Sequence, residues 1–306
     1  MRRRRDRSFE IKTPAQLALM REAGLVVAAA LSATVRAVEP GISTAELDAI
    51  AERVIREAGA VPSFKGYLGF PATICTSVND EVVHGIPRPE VRLAAGDLIS
   101  IDCGAIVGGW HGDAAVTVGV GPVSPAQSGL LETCERALWQ GLSRAVAGGR
   151  LSDISAAVEA EASAPGEYGI VEDYVGHGIG SQMHMDPPVP NYGRPGRGPL
   201  LVEGMALAVE PMLVLGDPET RLLDDDWTVV TEDGSRAAHF EHTVAITADG
   251  PWVLTAADGG ASGLAAARAG RAAAQAASAS SSASSSASAR EHARAAAGAT
   301  GNSGGS

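Results

Sequence analysis

Four carboxylates stand at matched places in two stretches of the chain. Asp102 closes the block GDLISID (96–102), and Glu210 closes GMALAVE (204–210), at an offset of 108 residues. Asp113 opens DAAVTV (113–118), and Glu241 opens EHTVAI (241–246), each with apolar β-formers three and five residues on. Apolar strands seldom carry inward acids, because a buried carboxylate is costly unless it is paired or bound to metal. Four such acids meeting at one point would be neutralised by two divalent cations. With one neutral imidazole added, the set suits Mn, Fe or Co, with Zn also possible. Two such metals, roughly 3.5–4 Å apart, can share a hydroxide and polarise a carbonyl.

The turn between the first two acids makes their meeting plausible. If Gly108-Gly109 forms a two-residue hairpin turn, residue 107 faces 110 and Asp102 faces Ala115. Asp113 is then on the same face as Asp102, a diagonal neighbour about 7–8 Å away. A change of one residue in the loop would reverse this. Histidine is scarce, with seven in the chain. His177 and His184 lie in VGHGIGSQMHMDPP, and the residues alone leave open whether they are ligands, catalytic groups or buried side chains. His84, in VVHGIP, reads more readily as structural. His111, His239 and His242 flank the acids with different strand parity, so they would neighbour the ligands or sit on the opposite face. Cys75 reads as a small apolar wall residue, since no neighbouring motif would activate it.

The elements needed to position these groups recur. Helical signals cover 14–38 and 43–58, opened by Thr13-Pro14 and by a Ser43/Glu46 capping box. Strand signals follow at 72–78, 81–83, 97–106 and 111–118. The same order restarts with helices at 125–147 and 152–163 and strand-like segments at 169–175, 205–214, 227–230, 239–247 and 252–256. Two helices and then strands, twice, predict an α+β body over 9–258 with related halves of about 14–120 and 125–256. Residues 1–8, holding RRRRDR, read as a flexible basic arm, and 259–306 as a disordered Ala/Ser/Gly-rich tail. The net charge of −12 argues against nucleic-acid binding as the main activity. The three cysteines have no framework spacing, which suggests reduced thiols and a cytoplasmic setting. No uninterrupted apolar run reads as a membrane span.

Five blocks in order, SVNDEVVHGIP, ISIDCGAIVGGWHGDAAVTV, GHGIGSQMHMDPP, ALAVEPM and FEHTVAIT, resemble the type I methionine aminopeptidases. The resemblance runs from about Ala15 to Leu254. It implies the pita-bread fold, with two pseudo-symmetric helix-helix-strand halves and a curved antiparallel sheet around the active site. It implies removal of the initiator methionine from nascent polypeptide N-termini, with a small second residue preferred, by a metal-bound hydroxide attacking the first peptide carbonyl.

The same resemblance places the ligands of two divalent ions (Co, Mn, Fe or Zn) at Asp102, Asp113, His177, Glu210 and Glu241, with Asp113 and Glu241 bridging. It makes His84 and His184 the histidines that contact the substrate, and Glu210 the proton carrier. It lines the methionine pocket with Phe64, Tyr67, Phe70, Cys75, Met183 and Trp227. Met183 departs from the family's usual phenylalanine, and Asp186 from its usual glutamate. A monomer is expected, with no membrane partner and no sequence-specific nucleic acid, and with a transient ribosome contact through the arginine arm. An Xaa-Pro aminopeptidase or prolidase on the same fold is the alternative enzyme. A non-catalytic binding protein of that fold is the alternative class.

Overall fold

A computed structural model describes residues 9–164, 166 and 168–273. The first half runs α1 (Pro14–Ala37), α2 (Thr44–Glu57), β1 (Val61–Pro62), β2 (Ile74–Val78), β3 (Glu81–Val83), β4 (Leu98–Val107) and β5 (Trp110–Gly119). The second begins with α3 (Pro125–Leu142), α4 (Leu151–Ala162), β6 (Gly169–Ile170), β7 (Gly176–Gly178) and β8 (Met185–Val189). It continues through β9 (Ala206–Val209), β10 (Met212–Val214), β11 (Thr220–Leu222), β12 (Val229–Thr231), β13 (Ala237–His239), β14 (Glu241–Thr247) and β15 (Gly250–Val253).

Local chemistry starts α1, α2 and α3 in the same way. Thr13, Ser43 and Ser124 each accept the backbone N–H three residues on, and Gln16, Glu46 and Gln127 reach back to the cap residue's own N–H. These reciprocal bonds satisfy donors that the first helical turn leaves open. α3 stops at Leu142, short of the expected 147. There the chain tightens into three-residue turns, with Arg144 N–H donating to the Gly141 carbonyl and Ala145 N–H to that of Leu142.

A nine-stranded sheet of antiparallel pairs holds the molecule, in the order β1-β4-β5-β14-β9-β7-β8, with β2 also on β4 and β15 on β14. The halves meet where β5 pairs with β14, Glu241 opposite Ala115. Each half has its own core behind the sheet. Val27, Leu47 and Ile55 pack with Ile99 and Ile101 in the first. Leu138, Ile154 and Val158 pack with Leu207, Val209 and Val244 in the second. This is the pita-bread fold, and its two halves match the repeat read from the sequence.

α1 is long and apolar enough to cross a membrane by length and composition alone. In the structure its Leu17, Met20, Ala23, Val27, Ala30 and Leu31 are buried. The helix lies directly on β5: a methyl group on Gly112 would sit 2.7 Å from the Gly24 nitrogen. The missing side chain of Gly112 permits that approach, while that of Gly24 makes room for the Leu254 carbonyl.

Some expected strands are divided. The segment 205–214 breaks at Glu210-Pro211, where proline has no N–H to give the ladder. β9 stays in the large sheet, and β10 pairs with β13 and β6 in a separate three-stranded sheet. The segment 169–175 keeps only the two residues of β6. The expected start of the tail at 259 is too early. Residues 261–273 are helical, Leu264 is buried in the second core, and Gly263 lies flat against the Trp139 ring. The arginine stretch 2–7 and the Ala/Ser stretch beyond 273 lie outside the described residues.

Candidate active site

The turn at Gly108-Gly109 has positive φ at both residues, 56° and 84°. That is the backbone a tight two-residue hairpin requires. It fixes Asp102 opposite Ala115 and Gly104 opposite Asp113, so the two acids share a face as expected. Glu241 also lies opposite Ala115, on the other side of β5. A threonine fastens this seam: the Asp113 N–H donates to Thr243 Oγ1 at 3.0 Å, and that hydroxyl donates to the Asp113 carbonyl at 2.8 Å. Glu210 arrives from the end of β9, held where the strand breaks.

His177 comes from β7, opposite Ala208 of β9. Its Nδ1 lies 3.0 Å from the Gly178 carbonyl, so Nδ1 carries the proton and Nε2 keeps its lone pair. Nε2 faces the acids, 3.5 Å from Glu210 Oε1 and 3.9 Å from Asp113 Oδ2. Burial pushes the His177 pKa down to about 3, so the ring is neutral. Ligand atoms of Asp113, His177 and Glu241 all lie within 4.8 Å of one another.

The acids are poorly satisfied by the protein alone. Oδ1 of Asp102, Oδ1 of Asp113 and Oε1 of Glu241 are buried without a hydrogen-bond partner. Burial, and then the neighbouring acids, hold the Asp113, Glu210 and Glu241 carboxyls well above the usual carboxylate range. Burial raises Asp102 to about 7. Orphaned oxygens, mutual repulsion and one imidazole lone pair fit divalent cations, which would supply the missing charge.

The cluster forms the floor of a cavity of about 180 Å³. The structure brings together around it every site residue expected from the sequence. Phe64, Phe70, Cys75 and Met183 are buried walls. Trp227 meets Phe70 edge-on at 5.1 Å, and His84 stands 6.3 Å from the same indole. His84 sits at φ 61°, and burial takes its pKa down to about 4. Burial drives the Cys75 thiol well up, which agrees with a wall and not a nucleophile. His184 lies against His177 with ring centroids 4.3 Å apart and the rings tilted by 57°, and its Nδ1 lies 3.0 Å from the Tyr67 hydroxyl.

Of the three histidines expected to differ from the acids in strand parity, only His242 does; His111 and His239 each stand two residues from an acid and share its parity. His242 points to the other face of the sheet, to Thr255 Oγ1 at 2.8 Å and against Trp139. His239 is buried with its Nε2 3.8 Å from Glu210 Oε2. His111 Nδ1 meets Ser63 Oγ at 3.0 Å. Asp186 is exposed on β8 and does not line the cavity. Leu68, which also lines the cavity, was missed. It is 80% exposed, in the left-handed region at φ 49°, between Gly66 and Gly69. A large apolar residue set between two glycines was the available signal.

Residues 18–248 match the metallopeptidase family M24. The chain belongs to that family. This M24 peptidase is 57% identical over 249 residues to methionine aminopeptidase 1 of Mycobacterium tuberculosis, covering 80% of this chain and 94% of that protein. It is 51% identical over 244 residues to methionine aminopeptidase 1 of Bacillus subtilis, covering 80% and 98%. Among solved structures it is similar to the methionine aminopeptidase of Thermotoga maritima, with a TM-score of 0.79 and 40% identity over 81% of this chain and 99% of that one. The Pyrococcus furiosus prolidase shares the fold, with a TM-score of 0.65 and 22% identity over 80% of this chain and 65% of that one. As a metallopeptidase, this M24 member depends on divalent metal, and its buried Asp/His/Glu cluster is a place to hold it.

Proposed function

We propose that the protein is a methionine aminopeptidase that removes the initiator methionine from nascent polypeptides. The observation that carries this is one cavity whose floor is the Asp102, Asp113, His177, Glu210 and Glu241 cluster and whose walls are aromatic and sulfur side chains. A thioether packs well among such groups. The cavity of about 180 Å³ suits one side chain of that size.

Those five residues would hold two divalent ions, Co, Mn, Fe or Zn. Such ions supply Lewis acidity that makes water a nucleophile at neutral pH and polarises the scissile carbonyl. Glu210, fixed at the end of β9, takes the water's proton and passes it to the leaving amine. In the tautomer where the Tyr67 hydroxyl donates to His184 Nδ1, the ring's Nε2–H is free to donate to the oxyanion as it develops. His84 contacts the substrate from the side of Trp227. The narrow site beyond the methionine pocket favours a small second residue. The enzyme works in the cytoplasm as a monomer, and its arginine arm touches ribosomal RNA; unchanged ribosome cosedimentation after deletion of residues 2–7 would remove that contact.

Hydrolysis of Met-Ala-Ser beside Ala-Pro-Ala, with Co or Mn and then with a chelator, tests the reading. Metal-dependent cleavage of the methionine peptide is expected. Cleavage of the proline peptide alone makes the protein an Xaa-Pro peptidase, and no cleavage with metal present makes it a binding protein.

A further inference from the structure

The chain before α1 is a strap, and its contacts converge on the loop that carries His184. Glu10 takes two bonds from Ser181. The Ser181 N–H donates to Glu10 Oε1 at 3.2 Å, and the Ser181 hydroxyl donates to Glu10 Oε2. Lys12 holds Glu10 in place, with Nζ 3.4 Å from Oε1 and donating to the Glu10 carbonyl at 3.2 Å. The Lys12 side chain is only 3% exposed. Its backbone N–H donates to the Gly204 carbonyl at 2.8 Å, which anchors the strap at the approach to β9.

The loop has little freedom to take another position. A methyl group on Gly180 would run into Glu10 Oε1 and the end of the Lys12 side chain. From within, the Gly180 carbonyl accepts the His111 N–H at 3.0 Å. Gly180 and Ser181 are thus clamped between β5 and the strap. Two residues beyond Ser181 comes Met183, a buried pocket wall, and His184 follows directly. A shift at Ser181 is transmitted to both.

We infer that Glu10 is a positioning residue for catalysis, acting through Ser181 to hold His184 over the cavity. This rests on the reading above that His184 touches the reacting carbonyl. Glu10 itself touches no substrate. Glu10 and Ser181 are 171 residues apart, and neither lies in the metal cluster.

The test is a double-mutant cycle read by kcat and KM on Met-Ala-Ser, with bound metal measured in every variant. Glu10→Ala should lower kcat ~10-fold, as misplacement of a positioned group does, with KM and metal content unchanged. In a His184→Ala background the same change should alter kcat less than about 2-fold, because the group it positions is gone. Glu10→Gln still accepts from Ser181 while losing its charge, and should restore most of the turnover. Equal losses from Glu10→Ala in both backgrounds overturn the inference, as does a glutamine variant no better than alanine. If Glu10→Ala fails to fold, Ser181→Ala enters the same cycle with a smaller loss expected. Full turnover in His184→Ala alone would instead overturn the reading of His184, and this inference with it.

Discussion

The two halves supply the metal cluster in different ways. In the first, Asp102 and Asp113 sit on one uninterrupted hairpin of ten paired positions, closed by a two-residue turn. In the second, Glu210 and Glu241 sit on neighbouring strands too, but the chain between them leaves the sheet. It builds β10 to β13 and presents Trp227 and His239 before returning. The first half sets the geometry by register. The second gives up a tight connection and adds Trp227 to the cavity wall and His239 beside Glu210. A duplicated framework has thus kept its carboxylates in step, while the cavity walls come from both copies: Phe64, Tyr67, Phe70, Cys75 and His84 from the first, Met183, His184 and Trp227 from the second.

The largest effect should come from moving the register of the first hairpin. One glycine inserted between Gly108 and Gly109 reverses the strand parity of Asp113. Bound metal, measured on the purified protein, should fall to background. The same insertion after Asp217, in an exposed part of the second half, should leave metal content intact. Equal metal loss in both would show that the halves are equally sensitive to loop length.

His177 on β7 and His184 in the loop after it should respond differently to removal. His177→Ala should lose metal and activity together. His184→Ala should keep its metal and lose ~10²–10³-fold in kcat, the usual cost of removing one oxyanion donor. Equal metal loss in the two variants would remove the division of labour between them.

Smaller effects lie at the seam and the helix ends. Thr243→Val removes the hydroxyl that joins Asp113 to β14. It leaves buried backbone groups unpaired and should cost ~1–3 kcal/mol in urea unfolding. Ser43→Ala and Ser124→Ala remove equivalent caps, one in each half, and each should cost ~1 kcal/mol. A clear inequality between them would mean that the halves do not share stability evenly.

Local rules made much of this legible. The capping residues at Thr13, Ser43 and Ser124 stand three positions from their partners, so a short window contains both. Asp102 and Asp113 were placed on one face because a glycine pair fixes the turn and a strand alternates strictly. Parity likewise sent His242 to the far face. What stayed hidden depends on contacts without a local pattern. Ser181 gives no sign that Glu10 will reach it. The break at Pro211 could have been read from its missing N–H, but the continuous apolar run around it suggested one strand. The separation of His177 from His184 came from the family resemblance; in the structure it is the Gly178 carbonyl and the Tyr67 hydroxyl that set the two rings apart.

The seam between β5 and β14 also bears on time. Glu241 opens β14 and is the last residue of the buried acid and histidine cluster along the chain. During synthesis the hairpin holding Asp102 and Asp113 can close early, since its pairings are local. It then carries two acids and no imidazole. The cluster becomes complete only when β14 settles against both β5 and β9. Peptidase activity therefore arrives in a single late step, after nearly all of the body has left the ribosome, and a half-made chain has no competent site.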